Sequence, residues 1–443
     1  MRRGNSRIHG IPKMCPWTLQ PPAGSGGNSC STVRHTGLQA GARCRFTGPH
    51  WRNGDMARPL MTDQRGVALL VVLSVIAVLT ALAAELNTRE VAQMDAAAWN
   101  RDRVRLQGMT SAAVQAGMAL LIADRIETET DSVQEDWADP AVLEGLVEGL
   151  GYTEGILTLK IIDELGKLQV NALIQEYPGH AVNAVQRGIW ENLLGFVISH
   201  DKSEDARDPA EIINAIIDWL DAGDDDRITG ISGAESDYYA SLDPPYACAN
   251  GAVRHLSTLY RIKGVTPDLF NPTGILSDLL GEEMAALMEM PALSDYLTVW
   301  GEEPLKAGGG YRFDGRVNIN TADPAVIAAI LPFGKEDAAA ALADYRIARQ
   351  EAGGAFVNAL GNGWYKAEAD LTTREAEQTE AKIRYASDVF RIEAVAGWDQ
   401  TGIKESVIIK RETDKDGKWV CRMLSRTLER ADAPAPPDET ALP

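Results

Sequence analysis

GVALLVVLSVIAVLTALAA, residues 66–84, runs for 19 positions without a charge. At 1.5 Å per helical residue this is close to the shortest stretch that spans a hydrocarbon core of roughly 30 Å. Arg58 and Arg65 precede it, and Glu85 and Glu90 follow it. The basic flank places the N-terminus in the cytoplasm and the acidic body on the far side of the membrane. A secretory signal has a similar basic flank and apolar core, and the small residues at 81–84 half supply an exit for one. The continuation argues against cleavage there. No proline occurs between Pro59 and Pro140, and Met109, Ala113, Ala116 and Leu120 recur at helical spacing. The apolar run therefore reads as the first half of one long helix whose outer half is amphipathic.

On either side of this helix the charge differs. Residues 1–66 hold ten Lys/Arg and two Asp/Glu, leaving 33 basic against 61 acidic residues downstream, a net charge of −28 within a chain of −20. A body that acidic repels phosphate backbones, which disfavours general nucleic-acid binding. Residues 1–55 contain Cys15, Cys30 and Cys44 amid Gly, Ser, Pro and Arg, and show neither strand nor helix periodicity. They read as an over-extended start, with translation beginning at Met56 or Met61, or as a disordered cytoplasmic tail.

A basic leader ending in Gly before an apolar helix resembles the type IV prepilin-like proteins. The resemblance implies cleavage by prepilin peptidase between Gly66 and Val67, with the helix retained. Pilins usually carry Glu as the fifth mature residue, where it pairs with a neighbour's terminal amine. Here that position is Val71, which suits a filament end better than its middle. Lack of that Glu is a habit of the K pseudopilins of type II secretion. Five further stretches are similar to that family in the expected order: IIDELGKLQVNAL (161–173), IIDWLD (216–221), DYYASLDPPY (237–246), KGVTP (263–267) and VNINTAD (317–323).

GILTLKII (155–162) and KLQV (167–170), joined through DELG, read as a hairpin. Residues 389–398, 405–412 and 418–424 read as three more strands, with a turn at DKDG (414–417). Between them, over 176–385, the patterns are helical. Asp208, Pro209 and Glu211 make a helix start, and Ile212, Ile213, Ile216, Ile217 and Leu220 then form an apolar stripe expected to be core. With the resemblance, these patterns imply an α+β fold: a transmembrane and pilin helix (67–127), a small pilin-like antiparallel sheet (128–175 and 386–430), and a large all-α insertion (176–385) resembling a sterile alpha motif. The tail from 431 is expected to be disordered.

DAGDDDRI (221–228) follows the apolar stripe, and Glu235 and Asp237 come shortly after. Carboxylates crowded on a glycine-flexed loop repel one another unless solvated or bridged by a cation, and oxygen ligands suit Ca²⁺. The candidate ligands are Asp221, Asp224, Asp226, Glu235 and Asp237, with Asp218, Asp243 and Asn250 as possible additions. Ile228 and Thr229 stand where an EF-hand needs a ligand and a glycine, so that motif is rejected. A solvated charge cluster remains the alternative from the residues alone, and the resemblance implies calcium. Cys248 and Cys421, the only cysteines beyond the helix, suggest one disulfide in an oxidising periplasm, with two separate thiols as the alternative.

None of the common nucleotide, zinc-protease, hydrolase or dithiol motifs occurs, so no enzyme and no small-molecule substrate are expected. Residues 317–349 resemble a helix-hairpin-helix element of DNA-uptake proteins, but the turn LPFGK (331–335) has one glycine where such hairpins use two. The resemblance as a whole implies a minor pseudopilin at the tip of a type II secretion pseudopilus. It would be a single-pass inner-membrane protein with a periplasmic body, and its partners would be other minor pseudopilins and prepilin peptidase. The alternative is a membrane-anchored DNA-binding protein of a DNA-uptake pseudopilus.

Overall fold

The computed structural model describes residues 65–199, 208–223, 228–270, 292–306, 308–350, 354–398 and 401–431. Two compact units divide the chain, Met1–Leu79 and Thr80–Pro443. Helix α1, Arg65–Glu127, is unbroken over 63 residues. In the first unit its apolar side chains, Val67 to Leu79, are all exposed. It is long and apolar enough to cross a membrane. Gly66 and Val67, the expected cleavage pair, lie in its first turn.

In the second unit the chain continues through α2 (Pro140–Glu148), β1 (Ile156–Asp163) and β2 (Leu168–Gln169). Among the described residues four helices come next: α3 (Ala184–Ser199), α4 (Pro209–Leu220), α5 (Ser236–Ala240) and α6 (Pro267–Phe270). Short strands β3 (Leu297–Thr298), β4 (Glu302–Pro304), β5 (Tyr311–Phe313) and β6 (Val317–Asn318) succeed them. Then come α7 (Pro324–Ile330), α8 (Ala338–Ile347), α9 (Tyr365–Glu368) and α10 (Thr373–Glu380). The chain closes with β7 (Ile383–Arg384), β8 (Val389–Trp398), β9 (Thr401–Thr413) and β10 (Trp419–Ala431).

Four strands form one antiparallel sheet in the order β1-β8-β9-β10. Its inner face is covered by the outer half of α1. Leu106 and Met109 are buried there against Ala396 and Ile403, and Ala113, Val114, Met118 and Leu121 against Phe390, Ile392, Ala394, Val407 and Ile409. The seam is rotated from the face that the sequence spacing suggests: Ala116 and Leu120 sit half-buried at its edge. Gly117 faces the sheet directly, where a Cβ would meet Ile161 and Ile392 at 3.3 Å.

The expected hairpin of 155–162 with 167–170 does not form. β1 pairs with β8, so that Asp163 lies opposite Phe390, while β2 pairs in parallel with β3. The DELG segment is a short 3₁₀ turn, capped by the Asp163 carboxylate on the Leu165 amide at 2.8 Å. It carries the chain out of the sheet instead of back along it. The three C-terminal strands form where expected: β8 has the expected bounds, and β9 and β10 run longer.

Most of the described residues between β1 and β8 share a core of their own, from Leu168 to Ile383. It is mainly helical, and its start precedes the expected boundary at 176. It is not all-α: β2–β3, β4–β5 and β6–β7 are two-stranded ladders within it. α4 is capped as its sequence requires, with Asp208 accepting from the Ala210 amide at 2.9 Å and Pro209 in the first turn. All nine residues from Ile212 to Leu220 are buried, so the stripe is one side of a fully enclosed helix.

Candidate functional site

The acidic loop hangs from the C-terminal end of α4, and the residue that shapes it is Asp218. This side chain is fully buried, yet both its oxygens are satisfied by backbone. The Thr229 amide donates to Oδ1 at 2.9 Å and the Ala234 amide to Oδ2 at 2.7 Å. Gly233 lies so close that a Cβ there would overlap Asp218 Oδ2 and approach the Thr229 carbonyl to 2.9 Å. Asn214 donates to the Ser232 hydroxyl at 3.2 Å, and the Lys263 ammonium to the Ser232 carbonyl at 3.1 Å. The end of the loop is thus fixed at several points.

Around this clamp stand the oxygen groups a cation would use. Asp221 is the residue after α4; its amide still donates to the Ile217 carbonyl at 2.9 Å, and its carboxylate lies 3.7 Å from His180 Nδ1. Glu235 is buried just before α5, with the Tyr238 amide on its carbonyl at 2.9 Å. Asp237, in α5, is exposed. Asp224 and Asp226 lie outside the described residues. Asn250 has a positive φ of 47°, and its Oδ1 is buried without a hydrogen-bond donor. The Gly251 amide donates to the Trp219 carbonyl at 3.4 Å, which holds the Asn250 turn at the end of α4. Cys248 reports the local field: burial pushes its thiol up to about 11, and the charges of Glu235 and Asp218 push the same way.

A buried amide oxygen lacking a donor, in a stretch of chain that also carries the buried Glu235 and the half-buried Asp221, with no imidazole or thiolate among the candidate ligands, fits a hard cation such as Ca²⁺. Each Asp218 oxygen accepts one backbone amide, and this side chain thereby fixes the end of the loop. The signal for that role in the sequence is its place on the buried stripe, one turn before the loop.

The expected disulfide is absent. Cys248 and Cys421 are both free. The Cys248 thiol points at the Asp218 carbonyl at 3.7 Å, within the core of the insertion. Cys421 points at the Met118 carbonyl at 3.7 Å, against the seam of α1 and the sheet. They belong to different cores, so a bond would require one of them to leave its own.

A second acidic cluster, which sequence reading missed, sits at the seam between sheet and insertion. Asp124, Asp131 and Glu135 bring carboxylate oxygens within 4.8 Å of one another. Arg411, itself buried, donates to Asp124 at 3.0 Å and to Asp131. Burial, reinforced by the Glu135 and Asp131 charges, pushes the Asp124 carboxyl up to about 7. Next to it, Asp163 is buried and accepts from Ser387 Oγ at 2.6 Å, Thr321 Oγ1 at 2.7 Å and Asn318 Nδ2 at 2.9 Å. Glu164 accepts from Arg391 at 2.7 Å and from the Thr298 hydroxyl. The stretches IIDELGKLQVNAL and VNINTAD therefore meet in space, and their polar residues join the insertion to the sheet.

Residues 166–272 match a family model described as Type II secretion system (T2SS), protein K. The putative type II secretion system protein K of Escherichia coli (strain K12) is 26% identical over 218 residues, 47% of this chain and 60% of that protein. The type II secretion system protein K of Pectobacterium carotovorum subsp. carotovorum is 26% identical over 228 residues, 48% of this chain and 61% of that protein. The matches thus span about three fifths of these relatives' length. Among solved structures, a chain of the GspK-GspI-GspJ complex from the enterotoxigenic Escherichia coli type 2 secretion system aligns with a TM-score of 0.48 and 15% identity. That alignment covers 75% of this chain and 98% of the other.

Proposed function

We propose that this chain, which carries a type II secretion protein K domain, is a minor pseudopilin that stands at the tip of a secretion pseudopilus. The observation that carries the reading is the order of parts: one apolar helix, then a protein K domain inserted between strands of a sheet packed on that same helix. The apolar half of α1 anchors the chain in the inner membrane, with the acidic body in the periplasm. Prepilin peptidase cuts between Gly66 and Val67. Val71 leaves the mature helix without a carboxylate for a preceding subunit, which suits the leading position. The bulk of the insertion prevents repeated stacking. The work is assembly with other minor pseudopilins and support of export across the outer membrane, not chemistry on a substrate. N-terminal sequencing of the membrane-extracted protein tests this. A start at Val67 is expected; a start after Ala84 overturns the reading.

Calcium is part of the proposal. Asp221, Glu235 and the Asn250 Oδ1 would hold the ion, joined by Asp224, Asp226 or Asp237 from the same stretch of chain, and the ion would supply the positive charge that locks the loop. Chelation lowers the melting temperature, and Ca²⁺ restores it better than Mg²⁺ does. Glu235→Gln removes the response. An identical melting curve with and without chelator would refute the site.

The DNA-uptake alternative is disfavoured at its own motif. In the turn between α7 and α8, the Gly334 amide donates to the Glu336 carboxylate oxygens at 3.0 and 2.8 Å. A carboxylate thus occupies the amide that would face a phosphate. Salt-sensitive micromolar binding of short duplex DNA would reverse this judgement.

A further inference from the structure

A side-chain amide is lost most readily from asparagine followed by glycine, because no Cβ hinders the glycine nitrogen as it approaches the carboxamide carbon. The described residues contain two such pairs, Asn250-Gly251 and Asn362-Gly363. The fold holds them differently. Asn250 is fastened to the end of α4: its Oδ1 is buried, and the Gly251 amide donates to the Trp219 carbonyl. Asn362 is exposed in the turn before α9, and its side chain makes no hydrogen bond among the described residues.

That turn requires its glycine. Gly363 has a φ of 78°, and a Cβ there would meet the Lys366 side chain at 3.2 Å. The residue that makes Asn362 reactive is therefore the one the backbone demands. The Gly363 amide donates to the Tyr385 hydroxyl at 3.0 Å. This bond runs in the peptide plane, whereas attack on the carboxamide uses a face of the nitrogen. Beside it, Trp364 stacks on Tyr345 with ring centroids 5.3 Å apart and donates from Nε1 to Asn320 Oδ1 at 2.8 Å. The turn is thus tied to the segments that follow β6 and β7.

We propose that Asn362 is a site of spontaneous covalent modification, closing on the Gly363 amide and opening mainly to isoaspartate. This goes beyond the secretion reading and does not depend on it. The Gly363 amide proton passes to solvent hydroxide, and the nitrogen bonds to the Asn362 side-chain carbonyl carbon. The carboxamide nitrogen takes a proton from water and leaves as ammonia, which closes a succinimide. Water then adds to one ring carbonyl and its bond to the Gly363 nitrogen breaks. Opening at the side-chain carbonyl restores the chain through aspartate. Opening at the main-chain carbonyl gives isoaspartate, with a free carboxylate and one methylene more in the backbone. That methylene lengthens the path from Gly361 to Gly363 and draws the Gly363 amide away from Tyr385.

The test ages the full chain in detergent micelles at neutral pH, digests it, and reads both asparagines by mass spectrometry. Isoaspartate is detected with an isoaspartyl carboxyl methyltransferase and a labelled methyl donor. Modification is expected at least about tenfold faster at Asn362 than at Asn250, which reacts only through local opening. In urea the two pairs should react alike. Asn362→Gln should remove most of the methyl label and leave the melting temperature of fresh protein unchanged. The aged chain should melt below Asn362→Asp, which adds the charge without the methylene. An Asn362 that stays intact in the folded chain while the urea-unfolded chain reacts overturns the proposal. So does a preference for Asn362 that persists undiminished in urea, which would belong to the sequence and not to the fold. Methyl label undiminished in Asn362→Gln places the modification elsewhere and also overturns it.

Discussion

Two groups of buried acids in this molecule are balanced in opposite ways. At the seam, Asp163 accepts three side-chain hydrogen bonds and Asp124 and Asp131 share Arg411. In the loop, the backbone satisfies Asp218, Glu235 is buried, and the Asn250 Oδ1 lacks a donor. The first group carries its own cation in the chain. In the proposed calcium site, the second would take one from solution. A buried charge is tolerated only when paired, and the partner's source decides whether the region is permanent architecture or depends on its surroundings.

The largest expected effect breaks the seam from within. Arg411→Met leaves Asp124 and Asp131 buried without their cation and should cost about 3–5 kcal/mol of stability. Urea unfolding measures it, and a loss under about 1 kcal/mol would show that the seam is hydrated and does not rely on its arginine. In the loop, Gly233→Ala forces a methyl group onto Asp218 and should cost about 1–3 kcal/mol. It should also remove the calcium response, whereas a variant that still answers to chelator would separate the clamp from the ion site.

The seam also predicts a pH profile. Between the unfolded value of 3.8 and the folded value of about 7 for Asp124, the native state holds a proton that the unfolded chain has released. Stability therefore falls as pH rises through that window and levels off above it. The carboxyls of Glu135 and Asp163 are shifted upward by burial and act in the same direction. Asp124→Asn should flatten the profile, and melting curves from pH 5 to 8 that rise with pH for the unaltered protein would contradict the assignment. The smallest effect belongs to the thiols. Reductant should leave the melting temperature unchanged, where a disulfide closing so long a loop would contribute about 3–4 kcal/mol.

What could be read from sequence was local. The Asp208-Pro209 cap, the 3.6-residue pattern of α4 and the alternation of β8 to β10 rest on neighbours within a few residues. The acidic loop was visible because its carboxylates are contiguous. Asp218, set among apolar residues, could be read only as a possible addition to the ligand set, although it is what orders the end of the loop. The seam was out of reach because Asp131, Asp163, Asn318, Ser387 and Arg411 lie up to 280 residues apart, and no periodicity links them. The misread hairpin has the same cause: β1 had a nearby candidate partner, but its true neighbour, β8, comes more than 200 residues later.

That pairing fixes an order of events during synthesis. β8, β9 and β10 are consecutive antiparallel neighbours and can associate as soon as they emerge. β1 leaves the ribosome long before them and must wait, its edge open, until the insertion has brought Asp163 and Phe390 together. Closing so long a loop is slow when the intervening chain is unfolded. An insertion already folded around its own core shortens the search to the distance between its two ends. The inserted core therefore also acts as the splint on which the sheet is completed.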